Sequence, residues 1–258
     1  MKKLLFGVLL LLPAIVFAQS PFDGTWKTNM SESKLSQKPY VYLINNGTYD
    51  CDTCAPKIHV KADGQDQPVN GQVYDTLAVE VVDGNTVHLT TKKVGKTMSD
   101  QVRKVSSDGK MMTISVTNHP ADGSQPFKVE VHLVRISAGA AGSNATSGTW
   151  RYQNLNEDAP GITTTWKGSG DGISMSTPTG DNWEAKFDGK ENPVKGVYGD
   201  ETVSVKKLGD HGIEVAYRRD GKIVSVNKIT VSPDGTKMTT VDDNKRTGRV
   251  TTYIDEKQ

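Results

Sequence analysis

Two cysteines, Cys51 and Cys54, are the residues of this sequence with the plainest capacity for chemistry, and they stand in the segment YDCDTCAPK. A Cys-x-x-Cys pair can form a disulfide, act as a redox centre or contribute to a zinc site. A redox centre needs its first cysteine at a helix N-terminus, which lowers the thiol pKa, and no helical pattern follows. A structural zinc site needs four ligands, and the chain has no second cysteine pair. The spacing therefore favours a structural disulfide, with the redox and zinc roles as the alternatives.

No other group of residues in the sequence has the spacing of a catalytic or cofactor site. His59, His88 and His132 alternate with apolar residues and fall on the opposite strand face, where a histidine is usually solvated. The acid pairs Glu157-Asp158 and Asp242-Asp243 stand in stretches that resemble loops. The sequence motifs of serine hydrolases, zinc proteases, phosphate loops and EF-hands are missing. We therefore expect no catalytic residue, no metal and no cofactor.

The first 18 residues predict an export signal. Lys2 and Lys3 precede an apolar run of 14 residues, 4–17, and Ala18 completes a small-x-small cleavage site. The run is shorter than the roughly 20 residues of a membrane-spanning helix, so we expect cleavage and no integral membrane association; an uncleaved anchor is the alternative. The expected location is periplasmic or extracellular, where paired cysteines oxidise.

The charge of the chain argues against a nucleic-acid partner. Lysine and arginine number 31 and aspartate and glutamate 30; removing residues 1–18 leaves 29 against 30, because Lys2 and Lys3 leave with the signal. Nucleic-acid-binding proteins usually carry a basic excess or a basic face, and the basic pairs here are interspersed with acids. We predict no nucleic-acid partner, and the sequence leaves the oligomeric state open.

The chain contains an internal duplication. Gly-Thr-Trp followed by a basic residue occurs at Trp26 and again at Trp150. Residues 75–115 align without a gap with residues 201–241, with 11 identities in 41 positions. Matches that keep the same order along the chain indicate a repeat whose unit is a whole domain.

The segment between the two copies, SAGAAGSNATSG, has the composition of a flexible linker. We therefore predict a first domain at 19–137, a linker at 138–145 and a second domain at 146–258. Each copy is long enough to form a domain of ordinary size.

Alternating apolar residues and Asp-Gly turns predict an all-β chain. TLAVEVV and FKVEVHLVRI alternate apolar with polar residues, which is the period of a half-buried strand. VDGN, SSDGK, RDGK and SPDGT place glycine where a tight turn needs positive φ. Strands joined by such turns form an antiparallel meander. Closure of about seven or eight strands per copy into a barrel would remove the exposed edges.

The first and last strands resemble those of the lipocalins and fatty-acid-binding proteins, which open on Gly-x-Trp and end in a basic residue. Here Gly24 and Trp26 open copy one and Arg135 ends it, while Gly148 and Trp150 open copy two. The resemblance implies two tandem up-and-down β-barrels, each closed at its base by tryptophan under a cation–π contact. It also implies one small apolar or amphipathic ligand inside a barrel.

The candidate ligand-contacting residues lie on the inward faces of the predicted strands. They are Trp26, Leu77, Val79, Leu89, Met112, Phe127 and Val131 in copy one, and Trp150, Val205, Val215, Tyr217 and Met238 in copy two. We expect an exported, non-catalytic binding protein whose partner is a small lipophilic ligand. The alternatives are a structural or protein-interaction module with filled barrels, and an envelope enzyme of unknown class.

Overall fold

The computed structural model describes residues 20–155, 162–196 and 201–258. These residues form twenty β-strands and no α-helix. The predicted signal peptide, residues 1–18, lies outside them. Within the described ranges, no helix is long and apolar enough to cross a membrane.

The strands form two antiparallel sheets of ten strands each. The first sheet, barrel one, consists of β2 (Tyr40–Asn45), β3 (Thr48–Cys51), β4 (Ile58–Lys61), β5 (Gln67–Pro68), β6 (Thr76–Val81), β7 (Thr86–Lys93), β8 (Lys96–Val105), β9 (Met111–Asn118), β10 (Phe127–Ala138) and β11 (Gly148–Leu155). The second sheet, barrel two, consists of β1 (Gly24–Thr28), β12 (Thr163–Ser169), β13 (Gly172–Ser176), β14 (Asn182–Lys186), β15 (Asn192–Pro193), β16 (Glu201–Lys207), β17 (Gly212–Arg219), β18 (Lys222–Val231), β19 (Lys237–Asn244) and β20 (Arg249–Lys257). Both sheets curl into nearly closed barrels, which confirms the predicted fold class.

Ten strands per barrel exceed the seven or eight that the sequence predicts. β5 and β15 have only two residues each, too few to show an alternating pattern. Asp242 and Asp243, predicted to lie in a loop, belong to β19. The apolar alternation that predicts a strand is missing here because the inward position is polar. Asp242 occupies that position and accepts a hydrogen bond from the Ser225 hydroxyl.

The two Gly-Thr-Trp strands are exchanged between the barrels. β1 pairs with β12 and β20 of barrel two, and β11 pairs with β10 and β2 of barrel one. Either strand fits either gap because each carries its tryptophan two residues after a glycine, so both give the same inward pattern. Each sheet therefore contains one strand of the other copy, and the predicted domain boundaries, 19–137 and 146–258, stay a prediction.

Residues 139–147, which include most of the predicted linker at 138–145, connect β10 to β11 as the turn of a hairpin. The Asn144 N–H donates to the Ile44 carbonyl at 3.0 Å, and the Ala145 N–H donates to the Gly84 carbonyl at 2.9 Å. The Arg135 guanidinium donates to the Ala145 carbonyl at 2.6 Å. These long-range partners fix a segment whose composition alone is typical of a linker.

Each exchanged strand carries its tryptophan into the core of the barrel that it enters. Trp150 is fully buried in barrel one, and its Nε1–H donates to the Thr146 carbonyl at 2.9 Å. Trp26 is fully buried in barrel two, where its Nε1–H donates to the Phe22 carbonyl at 2.8 Å. The two tryptophans therefore occupy equivalent positions in opposite barrels.

A basic residue of the last strand covers each tryptophan. The Arg135 guanidinium carbon lies 4.0 Å from the centroid of a Trp150 ring, and Lys257 Nζ lies 5.3 Å from that of Trp26. Such contacts are favourable because a cation is attracted to the face of an aromatic ring. The contact that the resemblance implies is present, with Arg135 of copy one packed on the tryptophan of copy two.

The open ends of the two barrels face one another, since residues of each barrel contribute to the cavity of the other. Residues 29–39 lead from β1 at the open end of barrel two to β2 at the open end of barrel one. The Arg249 guanidinium stacks 4.2 Å from the Tyr40 ring centroid and donates to the Pro39 carbonyl at 2.6 Å. Arg246 of barrel two donates to two backbone carbonyls of barrel one. The open ends are thus held together by arginines of barrel two.

Replacing either tryptophan should destabilise the barrel that its strand enters. Trp26→Ala is expected to cost about 3–5 kcal/mol, because it leaves a large cavity in a packed core. Faster amide exchange should then appear in residues 163–257, and Trp150→Ala should have the reciprocal effect on residues 40–138. Hydrogen–deuterium exchange with mass spectrometry measures both. Exchange that rises in residues 40–138 of Trp26→Ala would contradict the exchanged pairing.

Candidate functional site

Barrel one contains a cavity of about 430 Å³ that reaches its open end. The wall is mostly apolar and aromatic and includes Tyr49, Ile58, Tyr74, Leu77, Leu89, Met98, Gln101, Arg103 and Phe127. Barrel two completes the rim with Thr179, Asp181, Gly196 and Glu201. Cavities of a few hundred Å³ with apolar walls and a few polar groups are typical of small-molecule sites.

Arg103 places a buried charge in the wall of this cavity, with only 7% of its surface exposed. Its Nε–H donates to Gln101 Oε1 at 2.6 Å, and its Nη1–H donates to the Tyr49 hydroxyl at 3.2 Å. The guanidinium carbon lies 4.1 Å from the centroid of the Tyr42 ring. A guanidinium has five N–H donors. Within the described residues, these contacts leave three of them for a further partner.

Arg103 has no carboxylate within 4.0 Å among the residues that the structure describes. The neighbouring phenols do not neutralise it either. Burial raises the pKa of Tyr74 to about 12 and raises that of Tyr42 further above its ordinary value, so both are uncharged near pH 7. A buried charge without a counter-ion is costly, and an anion entering the cavity would remove that cost.

Polar groups surround the cavity where the barrels meet. His119 Nε2 lies 3.1 Å from Asp100 Oδ2, and Glu201 of barrel two is paired with Arg219. Burial, together with the charge of Glu201, raises the pKa of the Asp181 carboxyl. The rim is therefore acidic but partly neutralised, in contrast to the positive charge of the wall.

Barrel two contains a second cavity, of about 460 Å³. Its lining includes Tyr40, Tyr152, Ile162, Trp166, Met175, Tyr217, Ile229, Met238 and Tyr253, with Thr28, Asn227, Thr240, Arg249 and Asp255 as polar members. Asp255 is 7% exposed, and the Thr28 hydroxyl donates to its Oδ1 at 2.5 Å. Burial raises the pKa of the Asp255 carboxyl.

Five of the twelve residues predicted to contact a ligand line a cavity. They are Leu77, Leu89 and Phe127 in barrel one, and Tyr217 and Met238 in barrel two. The other seven pack in the apolar cores: Trp26, Val79, Met112, Val131, Trp150, Val205 and Val215. Alternation identifies the inward face of a strand but not the depth of a residue inside the barrel. Ligand contact stays a prediction for all twelve.

Sequence reasoning missed the two buried charges, Arg103 and Asp255. Arg103 precedes the buried Val105 by two residues, and Asp255 follows the cavity-lining Tyr253 by two. Residues two apart on a strand share a face. A charged residue in phase with inward positions is therefore the signal that identifies both.

The predicted disulfide is present between Cys51 and Cys54. Cys51 is buried in the core of barrel one, and Cys54 lies in the lining of its cavity. The disulfide closes the turn between β3 and β4 beside the wall of the cavity.

The described residues form two nearly closed β-barrels, each with an apolar core and a cavity. No known protein family, characterised protein or solved structure matches the chain in comparisons of its sequence and structure.

The raised pKa of Asp255 predicts how stability should depend on pH. The folded protein holds the Asp255 proton more tightly than the unfolded chain does. The free energy of unfolding should therefore fall as pH rises from about 4, the ordinary carboxyl value, through the higher folded value. Asp255→Asn keeps an acceptor for Thr28 but cannot ionise, so it does not lose stability in this way. The variant should therefore melt at a higher temperature than the native protein near pH 7.

Thermal melts of both proteins between pH 3.5 and 7 test this. The difference between their melting temperatures should grow with pH; other buried carboxyls, such as Asp242, titrate in both proteins and cancel in the difference. A difference that is constant over this range would show that the charge of Asp255 is not responsible.

Proposed function

We propose that this protein is an exported, non-catalytic binding protein that holds a small amphipathic molecule with an anionic head group in barrel one. The observation that carries the proposal is Arg103, a buried guanidinium without a carboxylate partner among the described residues, in the wall of a cavity of about 430 Å³. Lipocalins and fatty-acid-binding proteins use barrels in this way, which supports the proposal by analogy of architecture.

The wall around Arg103 suits an amphipathic anion rather than a fully polar one. Leu77, Leu89 and Phe127 offer apolar surface between Arg103 and the open end. A carboxylate can accept two parallel hydrogen bonds from a guanidinium, a geometry that is both strong and specific. The tyrosine rings that flank Arg103 already restrict its movement. Little side-chain conformational entropy is therefore lost when a ligand binds.

Export is the second part of the proposal. A basic start, a short apolar run and a small-x-small site at the beginning of the chain support it, and so does the Cys51–Cys54 disulfide, because disulfides persist in oxidising compartments. Resistance of the Cys51–Cys54 pair to thiol-alkylating reagents in protein isolated from the cell envelope would support this location.

Replacement of Arg103 should strongly weaken the binding of anionic amphiphiles. Arg103→Ile is chosen because barrel two carries Ile229 at the equivalent position of β18, so the fold accommodates isoleucine there. Loss of one member of a buried charge pair costs about 2–5 kcal/mol, which corresponds to an affinity for decanoate about thirtyfold or more below that of the native protein. Displacement of a fluorescent anilinonaphthalene sulfonate by decanoate measures this affinity.

Two controls make the experiment specific. Arg151→Ile removes an exposed arginine from β11 of the same barrel and should leave decanoate binding unchanged. Decanol, which has the same chain without the charge, should bind the native protein much more weakly than decanoate. Equal binding of decanol and decanoate would refute the proposed anion site. No saturable binding of either would favour the alternative of a structural or interaction module.

A further inference from the structure

Asp255 is a buried carboxylate without a cationic partner in the described part of the chain. The Thr28 hydroxyl donates a hydrogen bond to its Oδ1, and no ion pair within 4.0 Å includes it among the residues that the structure describes. Lys257, two residues further along β20, lies over the Trp26 ring. Arg249 is six residues away, roughly 20 Å along an extended strand, and it is engaged by Tyr40 and Pro39.

The cavity that contains Asp255 is walled by aromatic side chains. Five of them contribute to the lining: Tyr40, Tyr152, Trp166, Tyr217 and Tyr253. Aromatic faces attract an organic cation, and the attraction increases when the cation is desolvated. A carboxylate at the inner end and aromatic rings along the walls are together complementary to an ammonium group carried on an apolar body.

Barrel one shows that the fold does not require a charge at this position. Met112 of β9 pairs with Leu133, and its counterpart in the repeat, Met238 of β19, pairs with Asp255. The equivalent of Asp255 in barrel one is therefore Leu133, which is buried in the apolar core. An apolar residue fits this location, and a buried carboxylate there costs stability. Its presence indicates a role other than holding the barrel together.

The two barrels carry interior charges of opposite sign at different positions. Barrel one has Arg103 and Leu133, whereas barrel two has Ile229 and Asp255 at the equivalent places. A ligand suited to one interior would be repelled by the charge in the other. The duplicated cavities have therefore diverged in chemistry while keeping nearly the same volume, about 430 and 460 Å³.

We propose that the cavity of barrel two is a second, separate binding site, for a small organic cation: an amine or quaternary ammonium group on an aromatic or aliphatic body. The ammonium group contacts Asp255, and the body lies among Trp166, Tyr217 and Tyr253. We propose an organic cation and not a metal ion, since the described residues contain no group of three or more His, Cys, Asp or Glu side chains able to hold a metal.

Isothermal titration with phenethylamine and with its neutral analogue 2-phenylethanol tests this site. The native protein should bind one phenethylamine per chain and should bind 2-phenylethanol at least tenfold more weakly. Asp255→Asn, which keeps an acceptor for Thr28, should weaken phenethylamine binding roughly tenfold to a hundredfold, the usual effect of losing a hydrogen bond to a charged group. Asp243→Asn, in the neighbouring β19, is the matched control and should bind as the native protein does.

Asp255→Leu supplies a second variant, since it installs the residue that barrel one carries, and it should also lose the amine. Arg103→Ile should bind phenethylamine normally, and Asp255→Asn should bind decanoate normally, so failure of this site and failure of the anion site are distinguishable. The proposal is overturned if the native protein does not bind phenethylamine, if both Asp255 variants bind it as tightly as the native protein, or if Arg103→Ile abolishes the binding.

Discussion

The backbone pairing of the exchanged strands is the interaction on which the rest of the structure depends. β1 fills the gap between β12 and β20, and β11 fills the gap between β2 and β10. Without its inserted strand, a barrel would have two exposed strand edges, which are sites of aggregation. It would also lose the tryptophan of its core, and barrel two would lose the hydrogen bond from Thr28 to Asp255. Closure, core and cavity are thus all completed by residues of the other copy.

The duplication is most evident where it serves packing and least evident where a ligand would lie. Trp26 and Trp150 make the same hydrogen bond to a carbonyl four residues earlier, and each lies beneath a basic side chain. The cavity walls differ: the Arg103 cluster of barrel one has no polar counterpart at Ile229. The tightly packed closed end of a barrel tolerates few residue types, whereas a cavity wall tolerates many. The interiors were therefore free to diverge in charge.

Much of the fold could be predicted from the sequence, because it depends on local patterns. Asp-Gly turns and alternating residues fix antiparallel strands, and the Gly-Thr-Trp repeats locate the first strand of each copy. The exchange could not be predicted, since β1 and β11 present the same inward pattern and either could fill either gap. The cavities could not be predicted for a different reason. Alternation gives the same signal for Val79 in the core and Leu77 at the cavity, and volume depends on how side chains from all ten strands meet.

The exchange also sets the order in which the chain can be completed. Thr28 and Asp255 are 227 residues apart in sequence, yet they meet in one barrel. During synthesis from the N-terminus, β1 is made first, but it cannot pair until β12 and β20 have been synthesised. Barrel one can close as soon as β11 has been made, but barrel two waits for both ends of the chain. The first strand to be synthesised is thus among the last to pair, and its insertion completes the fold.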